Sequence, residues 1–281
     1  MGKFSGVLLG SDFDNTLVYT AQAFSESGDL PPIPAYNLER LWYFVENGGS
    51  FSVLTGRAWV AFKHLIEPIP INAPCVLNNG TEIIDVRTGE IILSKPLDSS
   101  VTADLHDAIS QIEGVAFEFY GRGEPIALLY PNDYSRRHIR ITNFSTRKIS
   151  SPDEVESPLL KITMDGPAEV LEKLYKIITA QEWFSKYELV YTGNCLMDLT
   201  PKGATKGAAL EFLADYCNIS MEHTYAVGDQ VNDLSMLLAA KRGFAPKNSA
   251  SQLFDSGAAV LRHCSDGAVG EVVDYLDSLY Q

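Results

Sequence analysis

Two stretches of this chain alternate short apolar runs with helical patterns, and between them the alternation stops. The first run, residues 4–9, is closed by Gly10 and an Asx-rich loop, as a buried strand is. Pro34 then precedes a helical pattern (Leu38, Leu41, Trp42, Val45) that Asn47-Gly48-Gly49 stops. Residues 50–54 read as a second strand, ending in Thr55-Gly56-Arg57, with a helix to about Glu67. The rhythm returns late, with a helix opening near Gly203 or Gly207 and a strand at Thr224–Val227 that ends in Gly228-Asp229. A helix from about Asn232, strands around Phe244 and at 258–261, and a closing helix complete it. That last helix sets Val269, Val272, Val273, Leu276 and Leu279 on one face. Such alternation predicts parallel strands with helices packed on the sheet.

The middle reads differently. Ile83-Ile84, Arg87-Thr88-Gly89 and Ile91-Ile92-Leu93 look like hairpins. A helix follows through Val101, Leu105, Ala108, Ile109 and Ile112. Strands are expected at 115–120, 126–130 and 159–164, around a polar, arginine-rich stretch, and then a helix with Val170, Leu171, Leu174, Ile177 and Ile178 on one face. The expected architecture is an α/β core of Rossmann-like parallel sheet, residues 1–83 and 194–281, with an α+β insertion at 84–193.

Of the 281 residues, 46% are hydrophobic and 21% charged, an ordinary balance for a folded soluble protein. The formal charge of −14, with no basic tail, speaks against nucleic-acid binding, which needs clustered positive charge. Phosphate chemistry on such a chain must use local cations to reverse the sign of the field. No apolar stretch approaches the roughly 20 residues of a membrane span. Cys75, Cys195, Cys217 and Cys264 lack CxxC spacing, which points to free thiols in a reducing cytoplasm. The five histidines are isolated in sequence, so no zinc site is expected.

In open parallel sheets, ligands bind where loops leave the carboxyl ends of strands. Three expected strand ends carry polar residues: Asp12 with Asp14, Thr55 with Gly56, and Asp229 with Asn232 and Asp233. Lys202 and Lys206 open a helix. Four carboxylates at neighbouring strand ends would need a cation, and an all-oxygen site suits Mg²⁺. Each piece alone has a plainer reading. Asp12-Phe13-Asp14-Asn15 also reads as an Asx turn, Thr55-Gly56 as a strand-to-helix turn, and Asp229 to Asp233 as a helix cap. The lysines also read as solvated helix-end charges, although the helix dipole disfavours them there. The first segment is not an EF-hand, since its sixth position is Leu17 and its twelfth Ala23.

Taken in order, these segments resemble the motifs of the haloacid dehalogenase superfamily of phosphohydrolases, over nearly the whole chain. The first motif is Asp12-Phe13-Asp14-Asn15-Thr16-Leu17, and the second is Thr55 within Val53-Leu54-Thr55-Gly56-Arg57. The third is a lysine, better matched by Lys206-Gly207-Ala208-Ala209-Leu210 than by Lys202. The fourth is Gly228-Asp229-Gln230-Val231-Asn232-Asp233. With Asn79-Gly80 and the insertion after the second motif, the chain looks like the Cof-like branch with its larger, type IIB cap. One departure is Asn15, where glycine is usual. Sucrose-phosphatase-like relatives share it, which hints at a sugar phosphate.

The resemblance implies an Mg²⁺-dependent phosphatase acting on a small phosphorylated metabolite. Asp12 would attack phosphorus to form an aspartyl-phosphate, and Asp14 would serve as acid and then base. Asp12, the Asp14 carbonyl and Asp229 would hold the metal, with Asp233 orienting a bound water. Thr55, Gly56, Lys206 and Asn232 would hold the phosphoryl group. Tyr120, Arg122, Arg136, Arg137 and Arg140 are candidates for substrate choice, and also read as a solvated surface. A phosphomutase would share the nucleophile, but no second phosphate site is marked. A non-catalytic phosphate-binding protein would be expected to lack Asp12 or Asp14. The oligomeric state and the ester itself are not written in these motifs.

Overall fold

A computed structural model describes residues 2–25, 30–123, 125–156 and 158–280. The chain divides into two compact units. The first comprises 1–56, 63–93 and 205–281, and the second 57–62 and 94–204.

The first unit opens with β1 (Leu8–Ser11), α1 (Thr20–Ser25), α2 (Ala35–Glu46) and β2 (Ser50–Val53). The helix expected to run on from Thr55 is a four-residue turn, α3 (Trp59–Phe62), followed closely by Pro68 and Pro70. It belongs to the second unit, where Ala58 and Ala61 join a core with Tyr120, Ile126 and Phe144. Next come β3 (Cys75–Leu77), β4 (Glu82–Asp85) and β5 (Glu90–Ser94), which form a three-stranded sheet.

The second unit carries α4 (Val101–Ser110), β6 (Ala116–Tyr120), β7 (Ile126–Leu129), α5 (Asp133–Thr142), β8 (Thr146–Ile149), β9 (Lys161–Asp165), α6 (Ala168–Thr179), β10 (Tyr187–Gly193) and β11 (Leu196–Pro201). Its six strands lie in the order β10-β11-β9-β6-β7-β8, all antiparallel pairs except β7 with β8. Alternation sends Phe117, Phe119, Ile162, Met164, Met197 and Leu199 to one face, where they share a core with Leu105, Leu171 and Leu174 of α4 and α6. The opposite face carries Glu118, Tyr120, Lys161, Thr163, Asp165 and Asp198, and these too are buried.

The first unit resumes with α7 (Lys206–Tyr216), β12 (Thr224–Val227), α8 (Leu234–Ala239), β13 (Arg242–Pro246), α9 (Ser251–Asp255), β14 (Ala259–Leu261) and α10 (Ala268–Leu279). Its main sheet runs β14-β13-β12-β1-β2, every pair parallel, as the alternation predicts.

The junctions fall at Leu93/Ser94 and Ala204/Thr205, not at 83/84 and 193/194. The β4–β5 hairpin stays with β3, and Ile83, Ile92 and Leu93 pack on the core of the first unit. At the other end, β11 lies between β10 and β9 in the second unit's sheet. The arginine-rich stretch is ordered as α5 and β8, with Asn132 and Ser135 forming a reciprocal capping box. Arg122, Arg136, Arg137 and Arg140 are exposed, and Arg136 pairs with Asp133 at 2.6 Å. Tyr120 is instead buried, its hydroxyl donating to Glu118 Oε2 at 2.5 Å.

Candidate active site

The position of β1 between β2 and β12 assembles the site. Ser11 stands in register with Val53 of β2 and Val227 of β12, and the Asp12 amide donates to the Val227 carbonyl at 2.9 Å. The chain therefore leaves three neighbouring parallel strands at one sheet end, carrying Asp12, Thr55 and Asp229 with it. Lys206, the first residue of α7, is 1% exposed. Its Nζ lies 2.6 Å from Asp12 Oδ1 and 2.6 Å from Asp233 Oδ1. Lys202 is settled the other way: it pairs with Glu188 at 3.0 Å in the second unit, with its side chain 60% exposed.

Asp233 acts as a brace within the loop. Its Oδ2 accepts the amides of Asp229 and Gln230 at 2.9 and 3.0 Å. A methyl group at Gly228 would stand 2.5 Å from Asp233 Cβ and Cγ, so only glycine lets the loop fold over that carboxylate. Asp229 accepts from the Thr16 hydroxyl at 3.2 Å and from Gln230 Nε2 at 3.3 Å. Asp14 is half-buried, and its Oδ1 accepts from Thr20 Oγ1 at 2.7 Å.

Asn15 has a φ of 55°, in the left-handed region where glycine is easiest and asparagine the best-tolerated alternative. Its Oδ1 accepts the Ala21 amide at 2.7 Å. The departure from glycine thus has a backbone reason and says nothing about the substrate.

Burial, repulsion from Asp233 and repulsion from Asp14 push the Asp12 carboxyl up to about 7, against the pull of Lys206. Burial, Asp12 and Asp233 hold Asp229 well above the ordinary carboxylate range. Burial alone would lower the Lys206 ammonium, yet Asp12 and Asp233 outweigh it and the net shift is upward. These shifts agree physically: one ammonium serves three buried carboxylates and does not neutralise them.

Oxygens of Asp12, Asp229 and Asp233 lie within 4.8 Å of one another. An all-carboxylate donor set whose charged form is disfavoured until a cation arrives fits Mg²⁺. Both oxygens of Asp233 are engaged by Lys206 and the loop amides, which leaves Asp12 and Asp229 as the better ligands.

Thr55 and Gly56 are tied in through a residue whose part the motifs do not state. The Asn79 amide donates to the Thr55 carbonyl at 3.1 Å, and its Oδ1 accepts from Asn232 Nδ2 at 2.9 Å. Asn248 was not singled out by sequence at all. Its Nδ2 donates to the Asn15 carbonyl at 2.7 Å, and its Oδ1 accepts the Cys264 amide at 3.0 Å. The available signal was its place just past β13, another parallel strand end of the same sheet.

A sequence model of haloacid dehalogenase-like hydrolases matches residues 9–273. The chain belongs to that family. Among named relatives, the HMP-PP phosphatase of Enterobacter sp. (strain 638) is 26% identical over 228 residues, covering 79% of this chain and 80% of its own. The 5-amino-6-(5-phospho-D-ribitylamino)uracil phosphatase of Bacillus subtilis (strain 168) is 25% identical over 271 residues, covering 87% and 92%. A haloacid dehalogenase-like hydrolase from Bacteroides thetaiotaomicron shares the fold, with a TM-score of 0.79 at 20% identity over 96% and 99% of the two chains. The α/β fold expected for the haloacid dehalogenase family is therefore the one found.

Proposed function

We propose that this family member is a phosphoric monoester hydrolase, dependent on Mg²⁺, that releases phosphate from a small phosphorylated metabolite. The observation that carries this reading is the buried contact of one lysine with two aspartates at 2.6 Å, beside a third buried aspartate, at the carboxyl end of a parallel sheet. The named relatives that are phosphatases support it.

Lys206 holds Asp12 Oδ1, which leaves Oδ2 to attack phosphorus and form the aspartyl-phosphate. Asp14, held by Thr20, gives a proton to the departing ester oxygen and then takes one from the water that hydrolyses the intermediate. Thr55, Gly56 and Asn232 bind the phosphoryl oxygens, and Lys206 offsets the charge that grows on them. Mg²⁺, when held by Asp12, the Asp14 carbonyl and Asp229, neutralises phosphoryl charge that the carboxylates would otherwise repel. Asp233 keeps Lys206 and the Asp229 loop aligned. In this reading the first unit is the catalytic core and the second the cap that sets substrate choice. Free thiols at Cys75, Cys195, Cys217 and Cys264 fit a reducing cytoplasm.

The test is a screen of phosphorylated metabolites with and without Mg²⁺, alongside Asp12→Asn. Turnover of at least one ester that needs Mg²⁺ and vanishes in Asp12→Asn, with circular dichroism unchanged, is expected. No hydrolysis of any ester would overturn the phosphatase reading, and retained activity in Asp12→Asn would overturn the nucleophile.

A further inference from the structure

The polar face of the second unit's sheet holds a buried cluster that the proposed chemistry leaves unused. Glu118 on β6 and Asp165 on β9 are both 0% exposed, and His138 of α5 reaches between them. The imidazole Nδ1 lies 3.0 Å from Glu118 Oε2 and 3.6 Å from Asp165 Oδ1. The second distance is too long for a hydrogen bond. Among the described residues no amide, hydroxyl or ammonium donor reaches either oxygen of Asp165 or Glu118 Oε1, and the two carboxyls lie close enough to share a proton. Three carboxylate atoms in one buried spot without a donor call for a shared proton or a ligand, because an unpaired buried polar group is costly.

Acidic groups crowd the same spot. Glu118, Asp165 and Asp198 lie near the ammonium of Lys161, which is 3.2 Å from Asp198 Oδ2. Thr163 also donates to Asp198, at 2.6 Å, so that third carboxylate is already served.

The geometry suits a transition metal. Donors bonded about 2.1 Å from one ion in tetrahedral array stand ~3.4 Å apart. The two distances from Nδ1, 3.0 and 3.6 Å, bracket that value, and all three donors lie within 4.8 Å of one another. One imidazole with two carboxylates favours Zn²⁺ or a similar borderline ion over Mg²⁺ or Ca²⁺, which prefer oxygen alone. Isolation of His138 in sequence argued against zinc, but the fold sets it beside residues 20 and 27 positions away.

We propose that Glu118, His138 and Asp165 form a site for a divalent transition-metal ion, Zn²⁺ or a close analogue, within the second unit. Three protein ligands leave one position for water or an anionic group. His138, whose side chain is 15% exposed, is the entry side.

The experiment uses the full chain, stripped with chelator and dialysed against Zn²⁺ in excess Mg²⁺, which keeps the all-carboxylate site filled. One equivalent of Zn²⁺ per chain is expected to remain. Its affinity should fall about 100-fold or more in Asp165→Asn and in His138→Gln, beyond what loss of an outer partner costs. Co²⁺ in place of Zn²⁺ should give a visible ligand-field band that His138→Gln abolishes. If Asp165→Asn does not fold, His138→Gln, at the partly exposed position, carries the comparison. Absence of bound Zn²⁺ in excess Mg²⁺, or binding unchanged in His138→Gln, overturns the proposal.

Discussion

At Lys206 one ammonium meets Asp12 and Asp233 at equal distances, while Asp229 accepts from the neutral donors Thr16 and Gln230. Removing that ammonium strands two buried carboxylates. Lys206→Met is expected to lower stability by about 3–5 kcal/mol in urea unfolding, as the breaking of a buried ion pair does. Turnover should fall by about 10²-fold or more, as when an electrostatic donor is lost. The same crowding gives a pH signature. Asp12 titrates near 7 in the folded chain against a reference of 3.8, so folding is favoured below about pH 4 and that contribution is lost as the pH rises through 7. A cation that binds the ionised form restores it. Mg²⁺ should therefore raise the melting temperature more at about pH 8 than at about pH 5, where protons compete for the carboxylates. An equal rise at both pH values would contradict this. Among these residues, the motifs made Asp12, Asp14, Lys206, Asp229 and Asp233 legible, because spacing along the chain carries them. Asn79 was marked by the resemblance but its part was not, and Asn248 escaped altogether, because their partners, Asn232 and Asn15, lie 153 and 233 residues away and nothing local marks such pairs.

The elements around β1 carry the next constraint. The loop after β12 closes over Asp233 only because residue 228 has no side chain. Gly228→Ala should cost about 1–3 kcal/mol, as overpacking of a tight site does. It should also slow turnover, since the brace on Asp229 and Gln230 moves with Asp233. Thermal melts and steady-state kinetics on one preparation test both effects. Unchanged kinetics would show that Asp233 is not positioned by this contact. The parallel strands were readable because each is a short apolar run between breakers. The elements α5 and β8 were not. In α5 the buried residues Ser135, Ile141 and Thr142 are mostly polar, and β8 is exposed except at Ile149, so neither reads as an apolar run. Their order comes from capping and strand pairing, which are long-range or single-residue signals.

At the scale of the molecule, two units with separate cores need not unfold together, and one transition cannot be assumed. A ligand stabilises the unit that binds it. Hydrogen exchange with Mg²⁺ added should therefore slow in 7–16, 205–213 and 224–237, and leave 161–178 unchanged. Slowing in both segments to the same degree would mean that the units open as one.

The placing of β1 between β2 and β12 also sets a timetable for synthesis. Thr16 and Asp229, which meet in the finished site, are 213 residues apart, with the whole second unit made between them. At about 5–20 residues per second, some 10–40 seconds pass on the ribosome between the two. Through that interval β1 has one hydrogen-bonding edge covered and the other bare, an invitation to wrong pairing. Asp12 is thus among the first residues made and among the last to be given its surroundings. A chain released before Thr224–Val227 would keep β1 open on that side and is expected to aggregate more readily than the full chain.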